Sequence, residues 1–343
     1  MKRILIMAAV FFMAGLVYAQ TAVIEGYVYD KSTNKPVHSV VVYMDGTSYG
    51  TTTDDEGYYR LQVRNNVESK VVFSHMGYLT FSVPFAQLSS IVYIEENVNA
   101  VEAVSITASK FDSERLKMMR AFRDHFLGID NAARRCVIEN EDDIRFRYDD
   151  GVLHAWAEKP LIVNNVHLGY KVRVDLKEFR LKFKNKNNIN SDNGEKVFYS
   201  FYSVFEDLEA GKRTYNARRK AVYQRTPLCF FRNLINGTMK SANFVLENQG
   251  KTVNPNKYFI VTDVTDDVKY VEIPLERFEI GPDGFYSILD ITYNKTMISR
   301  IVFKTNEFYV SYFGNPHEYE LIEYYGDMGN QRLGQTLPLD FEP

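Results

Sequence analysis

The sequence predicts a mainly β protein, with a short N-terminal β-sandwich followed by a larger antiparallel, β-rich domain that carries a few helices. Three observations predict it. Strand-like runs recur about every 8–12 residues through the first hundred positions, with turn signals between them. Tyr and Phe, 24 of each, raise the aromatic content to 14%, which suits pleated, half-buried surfaces. Helical periodicity is confined to short stretches, near 112–136 and 212–237.

Residues 1–19 have the layout of a secretory signal peptide. Lys2 and Arg3 supply the positive start, Ile4 to Val17 is an uncharged apolar run, and Val17-Tyr18-Ala19 puts a small residue before Gln20. The run is shorter than the ~20 residues that span a bilayer, and no later stretch is long and apolar enough to do so. The expectation is an exported protein, periplasmic or associated with an outer membrane. The whole chain carries 41 Lys+Arg and 44 Asp+Glu. Removing Lys2 and Arg3 takes the net charge from −3 to −5. A mildly acidic chain without a basic tail is a poor nucleic-acid partner. Only Cys136 and Cys229 are present. An oxidising compartment permits one disulfide, but two cysteines are no disulfide framework, and buried thiols are the expected state.

The first domain is expected over 20–108. In Thr21–Asp30, Val23, Tyr27 and Tyr29 are read as the apolar set against Glu25 and Asp30. Lys31–Pro36 is a turn cluster, Val37–Met44 a second strand, and Asp45-Gly46 a turn. Thr47–Thr53, Tyr58–Val63, Lys70–Ser74, Tyr78–Val83, Ile91–Glu95 and Val101–Thr107 continue the series. Gly46, Gly50, Gly57 and Gly77 read as loop geometry rather than ligand contacts.

These residues also carry a likeness. Gly26-Tyr-Val-Tyr-Asp30, Thr33-Asn-Lys-Pro36-Val37, Gly46-Thr47, Gly50-Thr-Thr-Thr-Asp54, Gly57-Tyr58-Tyr59, Phe73-Ser74, Gly77-Tyr78 and the closing Val101 to Ala108 resemble the carboxypeptidase regulatory-like domain. That domain is common ahead of TonB-dependent receptors and in exported Bacteroidetes proteins. The resemblance implies a seven-stranded, transthyretin-like sandwich, and it implies no catalysis.

The second domain, 109–343, is expected to open with a helix capped by Asp112 or Ser113 and running to Gly128. Leu116, Met119, Phe122 and Phe126 form its apolar stripe, opposite Arg115, Lys117 and Arg123. Asn131–Cys136 adds a helical turn. Strands follow at Ile144–Tyr148, Val152–Ala157, Leu161–Val166, Tyr170–Phe183 and Lys196–Leu208, with an exposed Asn-rich loop from 183 to 197. Lys212–Tyr223 reads as a basic helix. Thr226-Pro227 opens another that ends at Gly237, with Pro at the first turn and Gly past the last. The remaining runs are Phe244–Glu247, Lys257–Val261, Arg277–Ile280, Tyr286–Tyr293, Ser299–Lys304, Phe308–Phe313 and Glu318–Tyr325, all consistent with antiparallel sheet.

Stretches of this half resemble the second half of Bacteroidetes proteins known as carboxypeptidase-like regulatory domain-containing proteins. They are Phe126-Leu127-Gly128 with Asn131-Ala132 and Cys136, Leu153 to Tyr170, Tyr223 to Arg232, and Leu337 to Pro343. The family commonly has His-Phe-Leu-Arg where this chain has Cys229-Phe230-Phe231-Arg232. The resemblance implies architecture and location, and no activity.

The chemistry-bearing residues form no coherent catalytic set. A zinc peptidase needs three protein ligands and an open position. His317-Glu318-Tyr319-Glu320 offers only the local half, and no His follows it. Cys136 or Cys229 has no His beside it in sequence, since His38, His75, His125, His154 and His167 lie elsewhere. The pairs Asp142-Asp143, Asp149-Asp150 and Asp266-Asp267 sit at turns and strand edges, as solvated loop carboxylates do. From Lys171 to Arg225 there are 14 Lys/Arg against 7 Asp/Glu. That excess reads as a solvated face rather than an anion site. Trp156, the one Trp, lies in a strand and is expected to be buried. No catalytic, cofactor or metal residue is assigned. The expected function is binding or scaffolding, with an envelope protein or glycan as partner. The alternatives are a hydrolase acting on peptide or glycan with a dispersed site, or a carbohydrate-binding module using exposed aromatics of the second domain.

Overall fold

The computed structural model describes residues 21–64, 69–97, 113–281 and 284–343. The leader 1–19 and the expected strand Val101–Thr107 lie outside the described residues. The first lobe is built from β1 (Thr21–Asp30), β2 (Val41–Met44), β3 (Gly50–Thr52), β4 (Tyr58–Arg64), β5 (Lys70–Ser74), β6 (Phe81–Pro84) and β7 (Ile91–Ile94). They form two sheets, ordered β4-β1-β7 and β3-β2-β5-β6. β1 runs parallel to β7, and the other neighbours are antiparallel. Ile24, Val28, Val42, Met44, Leu61, Val71, Phe73 and Val92 meet between the sheets.

Asp30 is buried rather than exposed, because it organises the turn that follows. Its Oδ1 accepts from the backbone N–H groups of Ser32 at 2.9 Å and Thr33 at 2.6 Å and from both hydroxyls. These bonds hold its carboxyl well below the usual range. Gly57 shows why a turn there needs glycine. Its φ is +73°, and a Cβ would sit 2.6 Å from the Val28 carbonyl oxygen.

The second lobe opens with α1 (Ser113–Phe126). β8 (Cys136–Ile138), β9 (Ile144–Asp149), β10 (Val152–Ala157), β11 (Leu161–Asn165), β12 (Tyr170–Phe183) and β13 (Gly194–Asp207) follow as one sheet. The β12–β13 hairpin is its spine. β11 pairs with the start of β12 and β10 with its end, while β13 follows β12 along nearly its whole length. α1 lays Phe122 and Phe126 against Phe179 of this sheet. The expected stripe is shifted: Leu116 is 56% exposed. Arg115 instead turns inward to the Ile144 carbonyl, and Arg123 to Glu141 and the Cys136 carbonyl.

α2 (Arg213–Tyr223) and α3 (Pro227–Ile235) come next. The Thr226 hydroxyl accepts from the Cys229 N–H at 3.0 Å, so the expected cap and first-turn Pro are both present. β14 (Phe244–Asn248), β15 (Lys251–Val253), the single turn α4 (Pro255–Tyr258), β16 (Ile260–Asp263), β17 (Val268–Glu272), β18 (Glu279–Gly281), β19 (Gly284–Tyr293), β20 (Met297–Phe303), β21 (Glu307–Ser311) and β22 (Ile322–Gly326) complete the chain. One sheet is ordered β15-β14-β19-β20-β22, with β18 beside β19, and a smaller one β16-β17-β21. The expected strand Lys257–Val261 is half helical turn, because Asn254 accepts from Asn256 N–H and caps Pro255.

The basic helix is not wholly solvated. Arg219 is buried, clasps Asp207 through two bonds of 2.7 and 2.9 Å, and donates to the carbonyls of Leu168 and Gly169. Its guanidinium lies 3.8 Å from the Tyr170 ring centroid.

The two lobes share a polar seam. Asp175 of β12 is buried, yet three of its partners come from the first lobe. Tyr43 donates to it at 2.6 Å, Ser74 at 2.6 Å and Thr80 at 3.3 Å. Arg173, at 3.8 Å, supplies the counter-charge. Burial, and then the Asp175 charge, hold the Tyr43 phenol far above its usual range, so Tyr43 remains the donor. Nearby, Gly46 N–H donates to Ser203 at 2.7 Å, Phe205 N–H to Thr47 at 2.9 Å, and Leu339 N–H to Gly46 at 2.7 Å. Phe313 packs into the first-lobe core.

Asp45 lies in this seam and accepts from Ser203 N–H at 2.8 Å. Burial pushes its pKa up to about 6 from 3.8, against the opposing pull of the Ser203 bond and Lys70. The folded state therefore binds the proton more tightly, and this group costs stability progressively as pH rises from about 3.8 to about 6. The shift of about two pH units, at about 1.4 kcal/mol per unit, sets a ceiling of about 3 kcal/mol. Asp45→Asn keeps the acceptor oxygen and removes the charge. It is expected to stabilise the protein by about 1–2 kcal/mol at pH 7.5 once solvent screening is allowed for, and by little at pH 3.5. Denaturant titrations at the two pH values check this. A loss of stability at pH 7.5, or a gain independent of pH, would refute it.

Candidate functional site: a tyrosine-lined sheet face

Along β1, the buried residues are Ile24, Gly26, Val28 and Asp30, so Val23, Glu25, Tyr27 and Tyr29 face outward. This reverses the expected orientation of Val23, Tyr27 and Tyr29. The signal was present in the strand's period of two: Glu25 shares parity with both tyrosines, while Ile24 and Val28 share parity with each other. Pairing then builds a surface. Tyr58 of β4 stands opposite Tyr27, Arg60 opposite Glu25, Ile91 of β7 opposite Tyr27, and Tyr93 opposite Tyr29.

Four tyrosines from three strands thus touch on one solvent-facing sheet. The ring centroids are 5.3 Å apart for Tyr27–Tyr58, 6.4 Å for Tyr27–Tyr29 and 6.1 Å for Tyr29–Tyr93. Tyr27 is 41% exposed, and Tyr93 and Ile91 are each 47% exposed. The charges on this face are largely matched. Tyr58 donates to Glu25 at 3.0 Å, and Lys31 pairs with Glu95 at one corner. The Glu25 bond comes first among the causes raising the Tyr58 pKa, so the hydroxyl stays protonated.

A groove of about 490 Å³ adjoins this face between β6 and β7. Leu79, Phe81, Val83, Val92 and Ile94 line it, with Ile91 and Tyr93 on the shared rim. Leu79 and Phe81 are exposed. A contiguous exposed apolar surface of this kind marks an interaction site more often than an idle one.

The residues weighed for chemistry are scattered. His317 packs beside Tyr309, with ring centroids 6.3 Å apart, and Glu318 accepts from the Tyr309 N–H at 2.8 Å. Among the described residues, no three of His, Cys, Asp and Glu gather to hold a metal. His38 contacts Ser39, His125 the Ser191 carbonyl, and His75 the Tyr78 ring. His154 stands on β10 opposite Arg147. Burial lowers the pKa of His75 and His167, favouring their neutral forms.

Cys136 and Cys229 are both free and buried. Burial raises their thiols to about 12 and about 11, leaving poor nucleophiles. Asp143 pairs with Lys159 and Asp150 with Lys186. Asp149 and Asp266 are exposed. Trp156, expected inside, is 39% exposed on β10. No described helix is long and apolar enough to cross a membrane.

No curated protein matches the chain. Among solved structures, it is similar to a chain in the crystal structure of a type II cohesin–X-dockerin complex, a C-terminal interface mutant, from Acetivibrio cellulolyticus. The identity is 20%, and the match covers 22% of this chain and 51% of that chain, with a TM-score of 0.16. The regulatory-type likeness of the first lobe has direct support: residues 24–106, which contain β2 to β7 and most of β1, match the model of the CarboxypepD_reg-like domain.

Proposed function

We propose that this is a non-enzymatic, exported cell-envelope protein, periplasmic or outer-membrane-associated, that works by binding or scaffolding. Its recognition face is the tyrosine-lined sheet of the first lobe, and its partner is an envelope protein or glycan. The observation that carries the reading is the mutual contact of Tyr27, Tyr29, Tyr58 and Tyr93 on a solvent-facing surface. Tyrosine presents a large, stiff, amphipathic area at low entropic cost, which is why it is enriched where proteins bind. A matched family that is non-catalytic agrees with this, as does the leader-like start of the chain.

The test is co-sedimentation with envelopes isolated from the source cells. Tyr27→Ser with Tyr58→Ser alters only outward positions, so the fold is expected to persist by circular dichroism. Losing two aromatic contacts of about 1–2 kcal/mol each is expected to weaken envelope binding at least tenfold. Equal sedimentation of parent and variant would overturn the assignment.

A further inference from the structure

The groove between β6 and β7 has a feature that the tyrosine face lacks, an open row of backbone groups. Among the described residues, strand β7 pairs only with β1, and that pairing uses the carbonyls of Ser90 and Ile94, bonded to Tyr27 N–H at 2.8 Å and Lys31 N–H at 2.9 Å. Alternate residues of a strand direct their backbone groups to opposite sides. Ile91, Tyr93 and Glu95 therefore direct theirs away from β1.

At one end this outer side is already in use. Leu79 N–H donates to Glu95 at 2.8 Å and Asn97 N–H to Gly77 at 2.8 Å, around an antiparallel bridge between Tyr78 and Glu96. Beyond that bridge the two edges separate, for among the described residues β6 pairs only with β5. Ile91 N–H reaches the Ser89 hydroxyl at 3.3 Å. The Ile91 carbonyl and both the N–H and carbonyl of Tyr93 have no partner among the described residues.

We propose that this groove receives an extended polypeptide segment as an added strand on β7. The segment starts where the Tyr78–Glu96 bridge ends and sets alternate apolar side chains against Leu79, Phe81, Val83, Val92 and Ile94. The open donor and acceptors of Ile91 and Tyr93 recur at ladder spacing, which a peptide backbone matches. The apolar floor between two sheet edges takes one face of such a strand, and an uncovered edge of this kind is a template for pairing. The inference rests on the binding reading above and names the chemical class of its partner as protein.

The full chain is incubated with a pool of ten-residue peptides carrying Val, Ile, Phe or Tyr at alternate positions, with Thr or Lys between them. Retained peptides are expected to slow amide hydrogen exchange across 91–95. N-methylation of their alternate amides is expected to weaken them at least tenfold, because it removes the donors that a ladder needs. Phe81→Lys, which charges the groove and leaves the tyrosine face intact, is expected to abolish retention.

Retention indifferent to N-methylation, or no retention of any peptide, would overturn the added strand. So would protection of 91–95 by soluble xylan or dextran in place of peptide, which would assign the groove to glycan. If peptides fail while envelope binding still depends on Tyr27 and Tyr58, the binding reading survives and only the added strand falls. If both fail, the binding reading falls as well.

Discussion

Arg232→Met is expected to destabilise the protein by about 3–5 kcal/mol, although Arg232 belongs to no binding face. The guanidinium of Arg232 donates through Nε to the Phe313 carbonyl at 2.8 Å, through Nη1 to Phe341 at 2.6 Å and through Nη2 to Leu339 at 2.5 Å. It lies 5.4 Å from the Tyr223 ring centroid. Met keeps most of the stem's volume and removes every donor. Three half-buried carbonyls then lose a charge-assisted partner, at about 1–2 kcal/mol each.

The effect is expected to spread, because Leu339 packs on both cores and its N–H bonds to Gly46. Urea titration measures the loss, and hydrogen exchange over 337–342 shows whether the tail is released. Arg232→Lys is expected to recover only a minor part, since one ammonium cannot serve three divergent carbonyls in the geometry of a planar fork. An unchanged midpoint for Arg232→Met would refute this account of the tail.

Asp175→Ala is expected to cost about 3–5 kcal/mol as well, by a different route. The carboxylate is the acceptor for Tyr43 and Ser74 and the counter-charge of Arg173. Truncating it leaves the hydroxyl donors of Tyr43 and Ser74 without their acceptor and Arg173 with the Ser74 hydroxyl, at 3.1 Å, in place of a counter-charge. Such one-sided losses are more damaging than replacing a whole buried pair. Because Tyr43, Ser74 and Thr80 all come from the first lobe, the variant is also expected to loosen the seam. Faster proteolysis in connections between the lobes, with the secondary structure retained, would register that loosening. A midpoint within about 0.5 kcal/mol of the parent, the scatter of an inert surface change, would refute a structural role for Asp175.

Local chemistry was legible where it acts through neighbours in sequence. Thr226-Pro227 capping α3, the Lys31–Pro36 turn and the long strands β12 and β13 each depend on residues within one turn or along one strand, and periodicity or turn chemistry reveals such features. Misreadings arose where a distant partner decided the outcome. Leu116 faces solvent because Arg115 and Arg123 of the same helix are drawn to carbonyls near 136–144. Trp156 is exposed because β10 turns it to the outer side of its sheet. Arg219 is buried because Asp207 and two carbonyls from the turn before β12 neutralise it.

By itself, the sequence determined the mainly β class, the regulatory-like character of the stretch matched over 24–106 and the Thr226-Pro227 start of α3. These follow from residue type and short spacing, which act in any context. Only the tertiary structure decided that Tyr27, Tyr29, Tyr58 and Tyr93 share a face, that an apolar groove runs beside β7, and that Asp175 joins two lobes. Each of these depends on strand order and register between segments tens to more than a hundred residues apart, and a one-residue slip in register would send every side chain to the opposite face.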